Sequence, residues 1–338
     1  MRDPVVLSEL DQGLVHALQV APRASWARLG AVLGADPATL SRRWQRLTEA
    51  GAAWISCLPG TAPVGGGPGG LAFVEVDCVH GGAPRAARRL AAQPAVISVE
   101  HVTGGRDLLL TVYAPDLAAF ARWTTVELGA VEGVTASRTH PVSAVHAEGS
   151  RWRLRSLTGE QVRALAAGPA PVARPAAGPL TDLDRRLLEL LCRDGRAPYA
   201  VLAEESGTSA TSVRRRVRRL FDSGAVQARC EVARPLSQWP VATVLWGRAA
   251  ARDLTARAQA VAGLREVRMC AALTGRANLM VMGWVRSPQD AHRFEVRVAE
   301  RAPGLEVCDR MITLRPDKLG GQLLDEDGYR TGCVPLAL

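Results

Sequence analysis

Hydrophobic and polar positions alternate with helical spacing in SATSVRRRVRRLFDSG (209–224). Val213, Val217 and Leu220 fall at i, i+4 and i+7, which makes one apolar stripe. Arg214, Arg215, Arg216, Arg218 and Arg219 fill the other faces without an acid among them. Ser209 suits an N-cap and Gly224 a C′ position, so the stretch predicts a helix with a core side and a strongly cationic side. The same pattern occurs earlier in the chain. Leu7–Trp54 aligns without a gap onto Leu180–Gln227 at a constant offset of 173, with identities at Asp11/Asp184, Arg23/Arg196, Gly34/Gly207, Arg43/Arg216, Arg46/Arg219 and Gly51/Gly224. A shared apolar stripe, turn glycine and basic face mark one unit used twice.

Each copy predicts three helices. The first starts at Ser8 or Thr181 with an acid three residues on, a capping-box pattern. A short helix covers 25–33 or 198–206, a turn follows at Gly34 or Gly207, and the basic helix comes next. In copy one that helix opens with Asp36 as N-cap and Pro37 at N1. A short helix, a glycine turn and a basic helix form the helix-turn-helix pattern.

Downstream the period changes from 3.6 to 2. After a Gly/Pro connector over 55–70, strands are predicted at 71–79, 95–102, 107–113 and 133–142 and helices at 83–93 and 115–128. The order is βαββαβ, with a tight turn at Thr103-Gly104-Gly105-Arg106. It recurs after copy two: strands at 241–249, 265–273, 278–285 and 305–314, and helices at 253–261 and 290–302. Residues 150–179 predict a short helix followed by a Pro/Ala-rich linker.

Composition sharpens this picture. The 338 residues suffice for several domains. A formal charge of +9 favours acidic partners such as nucleic acid. Of 42 basic residues only Lys318 is a lysine, a bias that a GC-rich genome would produce, so position on a helix face carries more weight than number. Seven scattered cysteines form no CxxC pair and stand beside no histidine at ligand spacing, so no metal site and no cofactor are expected. Dispersed thiols and the absence of an apolar leader or a run of about 20 apolar residues predict a soluble cytoplasmic protein without a membrane partner.

With these segments in hand, the chain resembles the leucine-responsive regulatory protein (Lrp)/AsnC family of transcription regulators, in a tandem version. Residues 180–226 are similar to that family's DNA-binding domain throughout. TGGRD (103–107) and TGRAN (274–278) sit where its effector-domain hairpin carries a G-x-x-D motif. The resemblance implies an α+β chain: winged-helix-like helix-turn-helix units at 1–58 and 180–234 alternating with ferredoxin-like effector domains at 71–148 and 235–318. Linkers span 59–70 and 149–179, and the tail spans 319–338. It further implies a sequence-specific regulator that is no enzyme, located at the nucleoid. Its partners would be double-stranded DNA, a small-molecule effector such as an amino acid, and further copies of the chain in dimers or tetramers.

A recognition helix must present its N-terminal side chains to base edges while other groups hold phosphates. Ser209, Thr211, Ser212, Arg214 and Arg215 are the expected groove-facing set in copy two, and Thr39, Ser41 and Arg42 in copy one. Arg43, Arg46, Arg216 and Arg219 are expected to clamp phosphates. Copy two has more arginine on this helix and copy one has Trp44 in place of Val217, so copy two is expected to bind more tightly. For the effector, Gly104 and Gly105 would admit a ligand to the backbone and Asp107 would accept its amine. In copy two only Gly275 remains and Asn278 replaces the acid. The alternative class is enzymatic: sirohaem decarboxylases share this architecture and use His and Arg on a tetrapyrrole. His16, His80, His101, His140, His146 and His292 show no repeated placement, which favours the regulator.

Overall fold

The computed structural model describes residues 5–60, 70–167 and 180–336. Helices α1 (Glu9–Val20), α2 (Trp26–Leu33) and α3 (Pro37–Glu49) form the first helical module. Its counterpart, after the sheet elements named below, consists of α7 (Asp182–Arg193), α8 (Tyr199–Ser206) and α9 (Ala210–Asp222). The start signals form as the sequence specifies. Ser8 and Thr181 each complete a reciprocal capping box with Asp11 or Asp184. Asp36 accepts from Thr39 N–H and Ser209 from Ser212 N–H. Gly34 and Gly207 end α2 and α8 at φ +65° in both cases, a left-handed turn suited to a residue without Cβ. Trp44 and Val217 are both buried core residues.

The Gly/Pro connector expected over 55–70 is in part a strand. β1 (Ala53–Pro59) pairs antiparallel with β6 (Val226–Val232), from Ala53 opposite Val232 to Pro59 opposite Val226. Residues 61–69 lie outside the described residues. Local sequence conceals β1 because its hydrogen-bond partner comes from the other copy. Ser56 stands opposite Arg229, its own repeat equivalent, so a local two-fold axis passes through that pair. Arginine exchange around the same axis locks the modules together. Arg23 donates to Gly195 O and Ala197 O (2.5 and 2.9 Å), and Arg196 to Pro22 O and Ala24 O (2.7 and 3.0 Å). Each guanidinium also lies over the other copy's aromatic ring, Arg23 on Tyr199 and Arg196 on Trp26.

Strands β2 (Gly70–Cys78), β3 (Val96–Val102), β4 (Leu108–Ala114) and β5 (Val134–Ala147) lie in the order β3-β4-β2-β5, with α4 (Ala83–Ala91) and α5 (Leu117–Arg122) on one face. The helix expected over 115–128 changes after Arg122 to a wider π turn, Trp123–Glu127, whose buried Trp123 donates to Gln93. Strands β7 (Val241–Arg248), β8 (Val267–Leu273), β9 (Leu279–Val285) and β10 (Glu306–Leu319) repeat the order as β8-β9-β7-β10, beneath α10 (Leu254–Ala262) and α11 (Pro288–Arg301). The two groups are not separate sheets. β5 runs on to pair with β8, and β10 runs on to pair with β3, so eight strands close a barrel. Val142 opposite Leu273 and Thr313 opposite Val102 are the same contact made twice, because 142 and 313, like 102 and 273, lie 171 apart.

This closure explains why β5 and β10 exceed their expected ends at 142 and 314: their distal halves pair across the junction. Inside the barrel, Phe73, Leu109, Val244, Trp246, Met280 and Met311 pack together. The segment expected as a plain tail, 319–338, adds β11 (Gln322–Leu324) and β12 (Arg330–Cys333) to the sheet. It braces the second module through Gln322 Nε2 to Cys192 O (2.7 Å) and Arg330 to Arg193 O (2.9 Å). The interdomain segment braces the first. His16 Nδ1 accepts from Leu157 N–H (2.9 Å), and Arg28 donates to Leu165 O (2.7 Å) on α6 (Gly159–Ala166). Burial, aided by Arg153 and Arg155, lowers the His16 imidazole to about 4, which keeps it a neutral acceptor. The rest of the linker, 168–179, lies outside the described residues.

Arg196→Ala removes two charge-assisted hydrogen bonds and a ring contact, and should destabilise the chain by about 2–4 kcal/mol. Arg23→Ala should act similarly, and a denaturant double-mutant cycle should show the two losses to be less than additive.

Candidate DNA interface and effector core

The stripe of α9 packs Val213, Val217 and Leu220 against Leu187, Leu188 and Leu191 of α7, which leaves the Arg faces outward. Those arginines divide by partner. Arg216 and Arg219 both reach the fully buried Asp184 (3.1 and 2.7 Å), and Arg43 and Arg46 both reach Asp11 (3.1 and 3.2 Å). Burial pushes the Asp184 carboxyl up, yet Thr181 and the two guanidiniums outweigh it and hold it below its ordinary value of 3.8. Asp11 balances in the same direction through Ser8 and Arg43. The four arginines expected as phosphate clamps therefore also fasten each basic helix to the first helix of its module. Arg46 and Arg219 stay well exposed, whereas Arg43 and Arg216 are more covered.

Arg214 and Arg215 are exposed, and neither has an ion-pair or side-chain hydrogen-bond partner among the described residues. Thr211 is exposed beside them, Ser212 is partly covered, and Ser209 is occupied as the N-cap. In copy one Arg42 is exposed and donates to Thr39 Oγ1 (3.4 Å), while Ser41 is partly covered. The ribbon of β1 and β6 fixes both helices about one axis.

The effector hairpins are placed as expected and held by means the sequence did not show. Asp107 Oδ2 accepts from Cys78 N–H (2.7 Å), tying the β3–β4 turn to the end of β2. Asn278 does the same for Ala249, accepting from its N–H (3.0 Å) and donating to its carbonyl (2.8 Å). An amide that can both accept and donate serves this clamp as well as a carboxylate does. Gly104, Gly105 and Gly275 are exposed at the turns. Arg106, beside Gly105, is buried against Glu75 (3.4 Å) and Asp309, which latches the first hairpin to β10 of the other sheet group. At the 171-residue offset the repeat equivalents are Ala277 and Arg138, an alanine facing a cation, so the second hairpin lacks that latch.

Sequence reasoning missed one enclosed space. A cavity of about 360 Å³ lies at the barrel mouth, roofed by Trp54, Leu58, Gln227 and Arg229 of the ribbon and lined below by both sheet groups. Single-sequence patterns do not reveal it, because its lining comes from ten strands spread over both repeats.

Comparison with known families fits this geometry. The AsnC-type helix-turn-helix domain matches residues 7–48 and 180–220, and the Lrp/AsnC ligand binding domain matches residues 71–152. The chain belongs to the Lrp/AsnC family. Relatives of this Lrp/AsnC protein include an uncharacterized HTH-type transcriptional regulator of Pyrococcus horikoshii, 24% identical over 136 residues. That match covers 40% of this chain and 91% of the relative. The HTH-type transcriptional regulator FL11 of Pyrococcus abyssi is 23% identical over 141 residues, covering 41% and 92%. The Lrp/AsnC chain described here is a tandem in which the helix-turn-helix match occurs twice and the ligand-binding match once. The crystal structure of the siroheme decarboxylase NirDL, in co-complex with an iron-uroporphyrin III analogue, is 14% identical. It superposes with a TM-score of 0.58 over 92% of this chain and 93% of its own, which makes it a relative in fold.

Asp184→Asn strips the charge from a buried acid that two arginines share, and should cost about 2–3 kcal/mol. Because the folded carboxyl lies below its unfolded value near 4, its contribution is complete above that pH and lost as pH falls through the folded value. Acid denaturation followed by circular dichroism should show wild type losing stability below about pH 4, with a flatter profile in Asp184→Asn.

Proposed function

We propose that this chain is a single-chain counterpart of a two-subunit Lrp/AsnC regulator, alternating two DNA-binding modules with two effector domains. It reads DNA with two fixed, non-identical recognition helices under the control of a small metabolite, an amino acid or a compound of similar size. The observation that carries the DNA reading is the pair Arg214 and Arg215, exposed and without a side-chain partner among the described residues, on a helix where Arg216 and Arg219 are engaged with Asp184 and Arg218 with Asp222. A guanidinium free of protein partners is available to a guanine edge or a phosphate, whereas one bound to a buried acid must be shared. The reading is of a regulator rather than an enzyme. The family's helix-turn-helix is present twice, and His16, the most deeply buried histidine, is committed to a backbone N–H.

The pairing of modules within one chain supports an operator with two unequal halves. Copy one's basic helix carries three arginines against five on copy two's, and Arg42 donates to Thr39 Oγ1. Strand edges that a one-unit protein would offer to a second subunit are occupied here within the chain, so association of whole chains would use other faces.

Arg214→Ala with Arg215→Ala should weaken operator binding by about 2–4 kcal/mol, and Ser41→Ala with Arg42→Ala by less. Fluorescence anisotropy on a mapped operator checks this, and equal losses would contradict the asymmetry. The logarithm of affinity should fall linearly with that of salt, and the double arginine variant should show a shallower slope where those contacts are to phosphate.

A further inference from the structure

The cavity at the barrel mouth contains an uncompensated cation. Arg229, on its roof, pairs with Glu148 (3.0 Å), and Arg268 pairs with Glu231 (2.7 Å) while lying over Trp284 at 4.0 Å. Arg234, on the turn that follows β6, also lines the cavity and is largely buried. Among the described residues its guanidinium makes no ion pair and donates no hydrogen bond. Burial pulls Arg234 below its ordinary value, Glu100 opposes that, and Arg268 adds to it. Glu100 offers little compensation. Burial pushes its own carboxyl up, towards the neutral acid, and it accepts from Thr313 Oγ1 (3.2 Å). A desolvated charge without a partner is costly to the fold, and such a group is commonly kept for a ligand that completes it.

The remaining wall indicates what else the ligand carries. Leu71, Phe73, Ile97, Met269 and Met282 supply an apolar surface, and methionine adapts to varied shapes. Tyr113 presents a phenol whose hydroxyl has no protein partner among the described residues. A cation without a partner among the described residues, the Tyr113 hydroxyl and an apolar wall within a volume of metabolite size describe a site for a monocarboxylate with an apolar body.

We propose that this cavity is the effector site, and that it binds an apolar monocarboxylate through Arg234. The inference rests on the regulator reading for its consequence, since β1 and β6, which roof the cavity, also join the two DNA-binding modules. A ligand that orders the roof would change how the recognition helices are held.

Calorimetry on the full chain without DNA tests the site. The probes are 3-phenylpropanoate, 4-methylpentanoate and hexanoate, each against its primary amide, with L-phenylalanine to test an added ammonium. At least one acid should bind one-to-one, at least tenfold more tightly than its amide. Arg234→Met should abolish that preference. It should also raise the melting temperature of the ligand-free protein, because it removes an unpaired buried charge; a structural arginine would lower it. Thr111→Phe, which fills the cavity from β4, should abolish binding while leaving operator affinity in the absence of ligand unchanged. The proposal is overturned if no acid binds better than its amide, if Arg234→Met binds as wild type, or if that variant melts lower. A stronger response to L-phenylalanine than to 3-phenylpropanoate would overturn the monocarboxylate class in favour of a zwitterion. Operator binding with no acid binding would defeat this inference alone. Acid binding without operator binding would defeat the regulator reading alone.

Discussion

Strand edges have to be paired, and that requirement shapes the whole molecule. Each repeat on its own would expose three edges: the strand after its recognition helix and the two outer strands of its effector sheet. The second copy covers all three. β1 takes β6, β5 takes β8, and β3 takes β10. The contacts obey one rule: where two residues pair, their repeat equivalents pair as well, which is the signature of an isologous interface. Fusion has placed inside one chain the symmetry that separate subunits would create by association.

Fusion also relaxes that symmetry, and the two copies have diverged where pairing does not constrain them. The buried acids Asp11 and Asp184 and the exchanged arginines Arg23 and Arg196 are retained in both halves, because each fixes a helix or a junction. The latch of Arg106 on Asp309 exists once, and so does the free pair Arg214 and Arg215. One half of the barrel is thereby more firmly closed and one recognition helix more strongly cationic. In a homodimer every such change would appear twice.

The ribbon links these features. It carries the local axis, aligns the helical modules and roofs the cavity in which Arg234 lacks a partner among the described residues. A change in the cavity is therefore adjacent to the element that sets the spacing of the recognition helices. Coupling between two sites requires an element that both can bias, and the ribbon occupies that position.

The sequence by itself determined the elements and their order. Ser8, Asp36, Thr181 and Ser209 cap the helices they were expected to cap, Gly34 and Gly207 turn between helices, and alternation located eight barrel strands within a few residues. Capping, left-handed turns and hydrophobic period are local properties, so a single chain displays them. Only the tertiary structure decided the rest. It made 53–59 a strand, carried β5 and β10 beyond their expected ends and turned the presumed tail into β11 and β12. It also assigned Arg43, Arg46, Arg216 and Arg219 to buried acids and left Arg234 alone. Apart from β11 and β12, which pair with β10 and with each other nearby in the chain, each of these depends on a partner more than 30 residues away or, for Arg234, on the absence of one among the described residues. Local pattern cannot specify such partners, because the energy of an ion pair or a strand edge belongs to both members and is set only when the fold brings them together.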